Sequence, residues 1–221
     1  MSYNGMCMIK LQELLDGDLA RIRNVIRFSN STRIKDESVA EHSYFTAYYA
    51  LVLGMALIVE EGVPVDMGTL LTSAILHDMD ESKSGDFVRH FKYMDLDIKR
   101  HIEDASDKIM RNAFDPIFVK ERLTLREGEP SYSLHYLWKN AKDPATIEGD
   151  IVAFADFLSV LSYVMNELDC GNKKLLRQLD DMHEYANSFY KRKFIKYEEV
   201  KNWLFQVMAI LNKYGMRKEV K

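Results

Sequence analysis

The sequence predicts an all-α fold, and three of its features support that prediction. Only 4 prolines and 10 glycines occur among 221 residues, and most of them separate long uninterrupted stretches. Within those stretches, apolar residues recur at the spacing of one helix face. Strand signals, meaning short runs that alternate apolar and polar residues, are weak along the whole chain. We therefore expect a compact bundle of helices.

The composition predicts one folded domain over 1–221. A hydrophobic content of 47% in 221 residues is enough for a substantial core. The formal net charge of −4 argues against a dedicated nucleic-acid binder, so no polymeric nucleic acid is expected as a partner. Cys7 and Cys170 are far apart and lack CxxC partners, which indicates a reducing compartment. The N-terminus also lacks a secretory signal pattern, and we expect a cytoplasmic protein.

The N-terminal part predicts an amphipathic start at 11–16 and then a long helix. Ser38 and Glu41 fit a capping box, in which each side chain satisfies a backbone donor at a helix start. A helix over about 39–60 should follow and end near Gly62. Its apolar run is too short and too rich in polar and aromatic groups to predict a membrane span. A buried helix is expected instead.

A second helix is predicted to begin after Pro64 and Asp66, and His77 lies at the end of its apolar stripe. Asp143-Pro144 is typical of an N-cap followed by a first-turn proline. The helix after it is nearly apolar all round, so it should be central and buried. Turns are expected at Gly85-Asp86 and around 127–130, and the remaining helices at about 95–112, 147–168, 173–191 and 197–214.

Asp156 is the strongest candidate for a functional residue on physical grounds. It is the only acid in the apolar stretch 151–165. A carboxylate is rarely buried unless it is paired or binds a metal, because its desolvation costs several kcal/mol. The residue is therefore either a metal ligand or the partner of a buried ion pair or cap.

His42, His77 and Asp78 are the other candidate ligands. Each histidine could instead be a core residue hydrogen-bonded to a backbone carbonyl, and a His-Asp dipeptide often occurs by chance. Neighbouring helical residues point about 100° apart, so His77 and Asp78 could reach one ion only where the helix ends. Together with Asp156, these residues predict a site for one divalent metal. The donor set suits Mn, Co, Fe or Zn without distinguishing them, and Mg is a further option.

Glu81 and Arg27 are weaker candidates. Glu81 lies four residues beyond His77 and could hold a water or a leaving-group oxygen, although spacing alone favours a solvated charge. Arg27 precedes a turn-like stretch and could bind a phosphate with two hydrogen bonds. Taken alone, a surface arginine is the simpler interpretation.

Several short motifs occur here in an order that is typical of one family. The sequence resembles the HD-domain metal-dependent phosphohydrolases and, more closely, the 5′-deoxynucleotidases of the YfbR type. The similarity spans about 21–168. The motifs that carry it are Arg27-Phe28, Val39-Ala40-Glu41-His42-Ser43, His77-Asp78-Met79-Asp80-Glu81, Gly85-Asp86, Lys92-Tyr93 and Ala153-Phe154-Ala155-Asp156.

The resemblance implies a compact helical HD fold, with a metal-site core and C-terminal helices at about 173–214. It implies that a deoxynucleoside monophosphate is hydrolysed to a deoxynucleoside and phosphate. A homo-oligomer is also implied, since relatives are commonly dimers or larger. The implied residues are His42, His77, Asp78 and Asp156 for the metal, Asp78 and Glu81 for catalysis, and Arg27, Phe28, Asp86 and Lys92 for the substrate.

Two departures from the family pattern leave the substrate open. Phe28 stands where the family has a tryptophan, and the proline-rich stretch after Gly-Asp is replaced by Phe87-Val88-Arg89-His90. The added positive charge would suit a dNTP triphosphohydrolase, a dATPase-like activity that some phage proteins have. A catalytically idle module that binds nucleotides is a third alternative, but it predicts lost ligand positions, and all four are present.

Overall fold

The computed structural model describes residues 11–87, 89–92, 94–114, 122–123, 132–141 and 143–216. The predicted all-α class is confirmed, and within these described residues the strands form one two-residue antiparallel pair. The helices are α1 (Leu11–Asp16), α2 (Val39–Glu61), α3 (Met67–Leu76), α4 (Glu81–Ser84), α5 (Arg89–Lys92), α6 (Leu96–Phe114), α7 (Leu134–Asn140), α8 (Ile147–Asp169), α9 (Gln178–Ser188) and α10 (Glu198–Gly215). The strands are β1 (Arg122–Leu123) and β2 (Tyr132–Ser133), and 3₁₀ turns lie at Asp18–Asn24, Lys173–Arg177, Phe189–Lys191 and Lys193–Lys196.

Both ends of α2 form as the sequence predicts. The Ser38 side chain accepts a hydrogen bond from the Glu41 backbone, and the Glu41 carboxylate accepts one from the Ser38 backbone. Gly62 ends the helix with φ at 64°, a conformation that glycine adopts without strain. These local signals determine where His42 lies, because it sits in the first turn of α2.

The start of α8 differs from the prediction. Thr146, not Asp143, is the N-cap, and its hydroxyl accepts the Gly149 backbone N–H at 3.0 Å. The Asp143 side chain accepts the Ala145 N–H at 2.9 Å and so forms a local turn one step earlier. Two adjacent segments offer cap chemistry here, and the sequence alone favoured the wrong one. The turn predicted around 127–130 lies outside the described residues.

The core forms where α2, α3 and α8 pack together, and the C-terminal helices cover it. Gly54 allows the close approach of α3, since a Cβ atom there would lie 2.7 Å from Leu70 Cδ2. Phe154 of α8 packs edge-on against Phe189 and Phe194. The first contact thus joins α2 to α3, and the aromatic contacts join α8 to the C-terminal part of the chain.

Helices α2 and α8 are long and apolar enough to cross a membrane by length and composition alone. Helices in the cores of folded proteins can be equally long and apolar, and 61% of the apolar 18-residue stretch of α8 is buried in the protein. In α2, only 39% of the corresponding stretch is buried. The expectation that α2 is a buried helix is therefore wrong for one of its faces, which lies on the surface.

The loop after Arg27 and Phe28 is held by a buried carboxylate that sequence reasoning did not identify. Glu167 of α8 is fully buried and accepts the backbone N–H groups of Ile34 at 2.8 Å and Lys35 at 2.7 Å. Asn172 donates its side-chain amide to Glu167 at 2.7 Å and to the Thr32 carbonyl at 2.9 Å. Burial alone would raise the pKa of Glu167, but these hydrogen bonds lower it.

Replacing Glu167 by Ala should therefore destabilise the protein by about 3 kcal/mol, because three donors would lose the buried carboxylate that accepts from them. Glu167→Gln should cost less, since its carbonyl oxygen keeps part of the acceptor capacity. The free energy of unfolding in urea measures both. An Ala variant as stable as the unmodified protein would show that this carboxylate does not hold the loop.

Candidate active site

Three helices bring four candidate ligands to one place. His42 comes from the first turn of α2, and Asp156 lies near the middle of α8. Helix α3 ends at Leu76, so His77 and Asp78 lie in the turn that follows it. Because the helix has ended, the side chains of these two adjacent residues can point to the same place, as was predicted for a shared ion. All four residues predicted to bind a metal are thus brought together.

The distances between donor atoms suit a single ion. His42 Nε2 lies 3.2 Å from His77 Nε2 and 3.0 Å from Asp156 Oδ1. Asp78 Oδ2 lies 3.1 Å from His77 Nε2 and 3.6 Å from His42 Nε2. Neighbouring ligands bound at about 2.1 Å to one ion are themselves roughly 3–3.5 Å apart. The donor set fits a divalent metal on these separations.

His77 presents the right nitrogen atom for ligation. His77 Nδ1–H donates to the Ala74 carbonyl at 2.7 Å, which leaves the Nε2 lone pair directed at the cluster. Burial, with the Arg27 guanidinium adding to it, lowers the pKa of His42 to about 4 and keeps that ring neutral. Burial also opposes the charge on His77, but the neighbouring Asp78 carboxylate raises its pKa.

Both aspartates are ionised. Burial alone would raise the pKa of Asp78, but the imidazoles of His77 and His42 hold it well below its usual range. The pKa of Asp156 is likewise lowered by its hydrogen bond with His42, against the effect of burial. The Asp156 side chain is 33% exposed, so it lines a cleft and is less buried than the sequence suggested.

Arg27 is buried beside this cluster, and the surface interpretation is wrong. Its backbone N–H donates to the Glu37 carbonyl at 2.9 Å, next to a β-bridge between Ile26 and Ser38. Its Nη1 lies 3.7 Å from Asp78 Oδ2. Within the described part of the chain, Nε and Nη1 are buried and have no hydrogen-bond partner. A buried cation with unused donors is suited to an anionic ligand.

Glu37 faces Arg27 from the other side of that bridge. Its Oε2 lies 3.9 Å from Arg27 Nε, and both side chains are nearly buried. Burial raises the pKa of Glu37 to about 7, with the Glu41 carboxylate adding to the effect and Arg27 opposing it. Sequence reasoning missed this residue, because its importance depends on the strand-like pairing of two loop segments.

Glu81 begins α4 and is not the solvated charge that spacing favoured. Burial raises its pKa to about 10, with the Asp78 and Asp86 carboxylates adding to the rise. Its Oε2 atom is buried without a hydrogen-bond partner among the described residues. Glu81 therefore holds a proton near neutral pH in the protein without a metal.

Phe28 is held in an unusual backbone conformation at the same site. Its φ of 53° is rare for a residue with a side chain, and it is the only described non-glycine residue with a positive φ. Asp86 stabilises it by accepting the Phe28 backbone N–H at 3.0 Å. The ring stacks on Tyr163 of α8 at 5.0 Å, and the Tyr163 hydroxyl donates to the Lys35 carbonyl at 2.8 Å.

A cleft of about 980 Å³ opens beside the cluster and is lined by His77, Asp78 and Asp156. Lys92, a predicted substrate-binding residue, lies on the same lining. Lys99 and Lys139 also line it, and Lys139 Nζ lies 2.8 Å from Asp107. The cleft is large enough for a nucleotide. No motif marked Lys99 or Lys139, because their proximity to the cluster depends on how α6 and α7 pack.

The fold is shared with solved structures of low sequence identity. A conserved hypothetical protein from Pyrococcus furiosus superposes with a TM-score of 0.69 at 21% identity, covering 90% of this chain and 99% of that one. The PH0347 protein from Pyrococcus horikoshii gives 0.67 at 20%, with coverages of 93% and 98%. An HD-domain phosphohydrolase from Listeria innocua gives 0.61 at 22%, with 92% and 98%. No match is found among curated proteins.

The match to a family model and the His/Asp cluster together define the class of protein as a metal-dependent phosphohydrolase. The model of the 5′-deoxynucleotidase YfbR-like family matches residues 17–197. The chain belongs to that family. The match includes all four candidate ligands and extends beyond 21–168, into the C-terminal helices.

Replacing Glu37 by Gln should change how stability depends on pH. The native carboxyl, with its pKa of about 7, binds its proton more tightly than the unfolded one at about 4.5. Its contribution to stability is therefore full below 4.5 and is lost as the pH rises through 7. Urea unfolding across this window should show a shallower decline for Glu37→Gln.

Glu60→Gln, on the exposed surface of α2, is the matched control and should leave the slope unchanged. Identical slopes for Glu37→Gln and the unmodified protein would mean that Glu37 titrates normally.

Proposed function

We propose that the protein is a 5′-deoxynucleotidase that hydrolyses a deoxynucleoside monophosphate to a deoxynucleoside and inorganic phosphate. The observation that carries this proposal is the convergence of four neutral or anionic donors beside a buried arginine with unused donor groups. This arrangement can bind a metal and a phosphate side by side. The family match supports the choice of substrate class.

In the proposed enzyme, His42, His77, Asp78 and Asp156 hold one divalent ion, such as Mn, Co, Fe, Zn or Mg. When bound, such an ion supplies an activated water and polarises the phosphoryl group. Arg27 binds phosphate oxygens through its guanidinium, whose Nε and Nη1 make no hydrogen bond among the described residues, and burial strengthens this interaction because water does not compete. Glu37, whose Oε2 lies 3.9 Å from Arg27 Nε, helps to orient the guanidinium.

Glu81 serves as a general acid in this proposal. The bond that breaks joins phosphorus to the 5′ oxygen of the sugar, and that oxygen must gain a proton as it leaves. Glu81 holds a proton near neutral pH, so it can deliver one. Phe28 and Asp86 shape the sugar side: the ring packs on Tyr163, and the carboxylate fixes the Phe28 backbone. Lys92 contacts the substrate from the cleft wall.

A dNTP triphosphohydrolase is the second candidate, and one observation favours it. The cleft has three lysines on its lining, Lys92, Lys99 and Lys139, which could neutralise a longer polyphosphate. Besides the candidate ligands, four acidic residues on the same lining offset that charge, namely Glu103, Asp104, Asp107 and Asp143. We therefore prefer the monophosphate. The idle binding module is the least favoured alternative, because it predicts lost ligand residues, and His42, His77, Asp78 and Asp156 are all present in the sequence.

We also propose that the protein is a cytoplasmic homo-oligomer and that residues 1–221 of each chain form a single domain. The oligomer is implied by the family resemblance, and an exposed apolar face on α2 supports it.

Asp156→Ala should abolish metal binding and turnover while sparing the fold, because the residue ends in a cleft and not in the core. Calorimetry with Mn²⁺ measures binding, and phosphate release from a panel of dNMPs, dNTPs and ribonucleotides measures activity. Asp181→Asn, on exposed α9, is the control. Retained metal affinity and full turnover in Asp156→Ala would contradict the proposed site.

Lys92→Ala should raise KM for a dNMP by about 10-fold with little change in kcat, since one charge-assisted hydrogen bond contributes about 1.5 kcal/mol or more. Lys108→Ala, on the exposed face of α6, should change neither constant. The products decide the substrate: nucleoside and phosphate for a monophosphatase, inorganic triphosphate for the alternative. A larger loss with dNTPs than with dNMPs would favour the triphosphate.

A further inference from the structure

A second, smaller apolar core supports the turn that carries His77 and Asp78. Its buried residues, each at most 7% exposed, come from α3, α6 and α7, and three partly buried residues pack against them. The buried residues are Leu76, Met110, Leu137 and Trp138, and the partly buried ones are Leu19, Met79 and Leu134. Leu76 immediately precedes the two candidate ligands, and Met79 immediately follows them. Both flanks of the turn are therefore packed into this second core.

Hydrogen bonds join α7 to the chain at both ends of this turn. Before the ligands, the hydroxyl of Ser73 on α3 donates to the Leu137 carbonyl at 2.8 Å. After the ligands, the indole N–H of Trp138 donates to Asp80 Oδ1 at 3.2 Å. Trp138 is 3% exposed and Asp80 is 4% exposed, so the bond lies where water competes little. Helix α7 is thus bonded to the chain on each side of the two ligands.

Helix α7 is also held in place independently of the turn. Lys139, the residue after Trp138, lines the cleft, and its Nζ lies 2.8 Å from Asp107 Oδ1 of α6. The same carboxylate oxygen lies 2.9 Å from His135 Nε2, one turn earlier on α7. These contacts join α7 to α6 along the cleft wall. The helix can therefore serve as a fixed support for the turn.

The turn needs such a support, because it lies outside regular helix. Residues 77–80 connect α3 to α4, and backbone bonds across them span three residues, from the Met79 N–H to the Leu76 carbonyl and from the Glu81 N–H to the Asp78 carbonyl. Bonds of this span have poorer geometry than those of an α-helix. A metal is bound at about 2.1 Å, and its ligands must be held to within about 0.5 Å. Local backbone bonds are a weak support for that precision.

We infer that Trp138 is a positioning residue of the metal site and that it acts through its hydrogen bond to Asp80. The bond fixes the turn on the side after Asp78, so that His77 and Asp78 meet the ligands of α2 and α8 at one point. Trp138 touches none of the proposed reacting groups. The inference rests on the metal site of the proposed function, and it adds a residue that no motif of the sequence marked.

The indole of Trp138 makes two contributions that a substitution can separate. Its rings fill the second core, whereas its N–H, which can only donate, satisfies a buried oxygen of Asp80. A phenyl ring keeps most of the apolar packing and has no donor. Trp138→Phe therefore removes the bond while largely preserving the core. Loss of the groups that orient metal ligands typically weakens metal binding by 10-fold or more.

The test is calorimetric titration of the metal-free protein with Zn²⁺. Trp138→Phe should bind Zn²⁺ about 10-fold more weakly than the unmodified chain. Asp80→Ala, which removes the acceptor of the same bond, should weaken binding at least as much. In the Asp80→Ala background, Trp138→Phe should cause no further loss, because the bond is already absent. Trp203→Phe, which changes the other tryptophan of the chain on α10, is the matched control and should bind Zn²⁺ normally.

Urea unfolding in the presence of EDTA confirms that each variant is folded and separates a loss of stability from a loss of metal affinity. Three results would overturn the inference: normal Zn²⁺ affinity in Trp138→Phe, an equal loss in Trp203→Phe, or the same loss from Trp138→Phe in the presence and absence of the Asp80 side chain. An unmodified chain that binds no Zn²⁺ would instead refute the proposed metal site itself, and this inference with it.

Discussion

The close approach of His42 Nε2 and His77 Nε2, 3.2 Å apart inside a helical core, is the constraint on which the rest of the site depends. Two neutral imidazoles cannot both direct lone pairs at this point without a cation or a proton between them. The carboxylates of Asp78 and Asp156 supply the compensating negative charge. The fold stabilises an arrangement that its own side chains satisfy only in part.

The surrounding helices meet this constraint through where they begin and end. The capping box determines where α2 begins, so local hydrogen bonds set the position of His42 in its first turn. Helix α3 ends at Leu76, and the free turn lets His77 and Asp78 point to the same place. Asp156 needs no such device, because its helix runs straight past the cluster. One ligand therefore depends on a cap, two on a helix end and one on packing.

The buried polar groups next to the cluster are of two kinds: some hold the backbone in place, and others keep polar atoms that are free to bind a ligand. Glu167 and Asp86 accept backbone N–H groups and so hold the loop and the strained Phe28. Arg27 and Glu81, in contrast, keep buried polar atoms without partners among the described residues. Unsatisfied buried groups cost stability, and natural proteins keep them mainly where a ligand completes them. In the proposed enzyme, Arg27 and Glu81 would therefore lie on the side where the substrate binds.

The sequence by itself determined the all-α class, both ends of α2 and the identity of the four clustered residues, because caps, helical periodicity and an acid in an apolar run are local signals. The packing of the helices and loops determines that Arg27 is buried, that Glu37 faces it and that the pKa of Glu81 is raised. Those properties arise from desolvation and from charges distant in the sequence. The exposure of one face of α2 could not be predicted either, because an apolar helix has the same sequence pattern whether one face or both are covered.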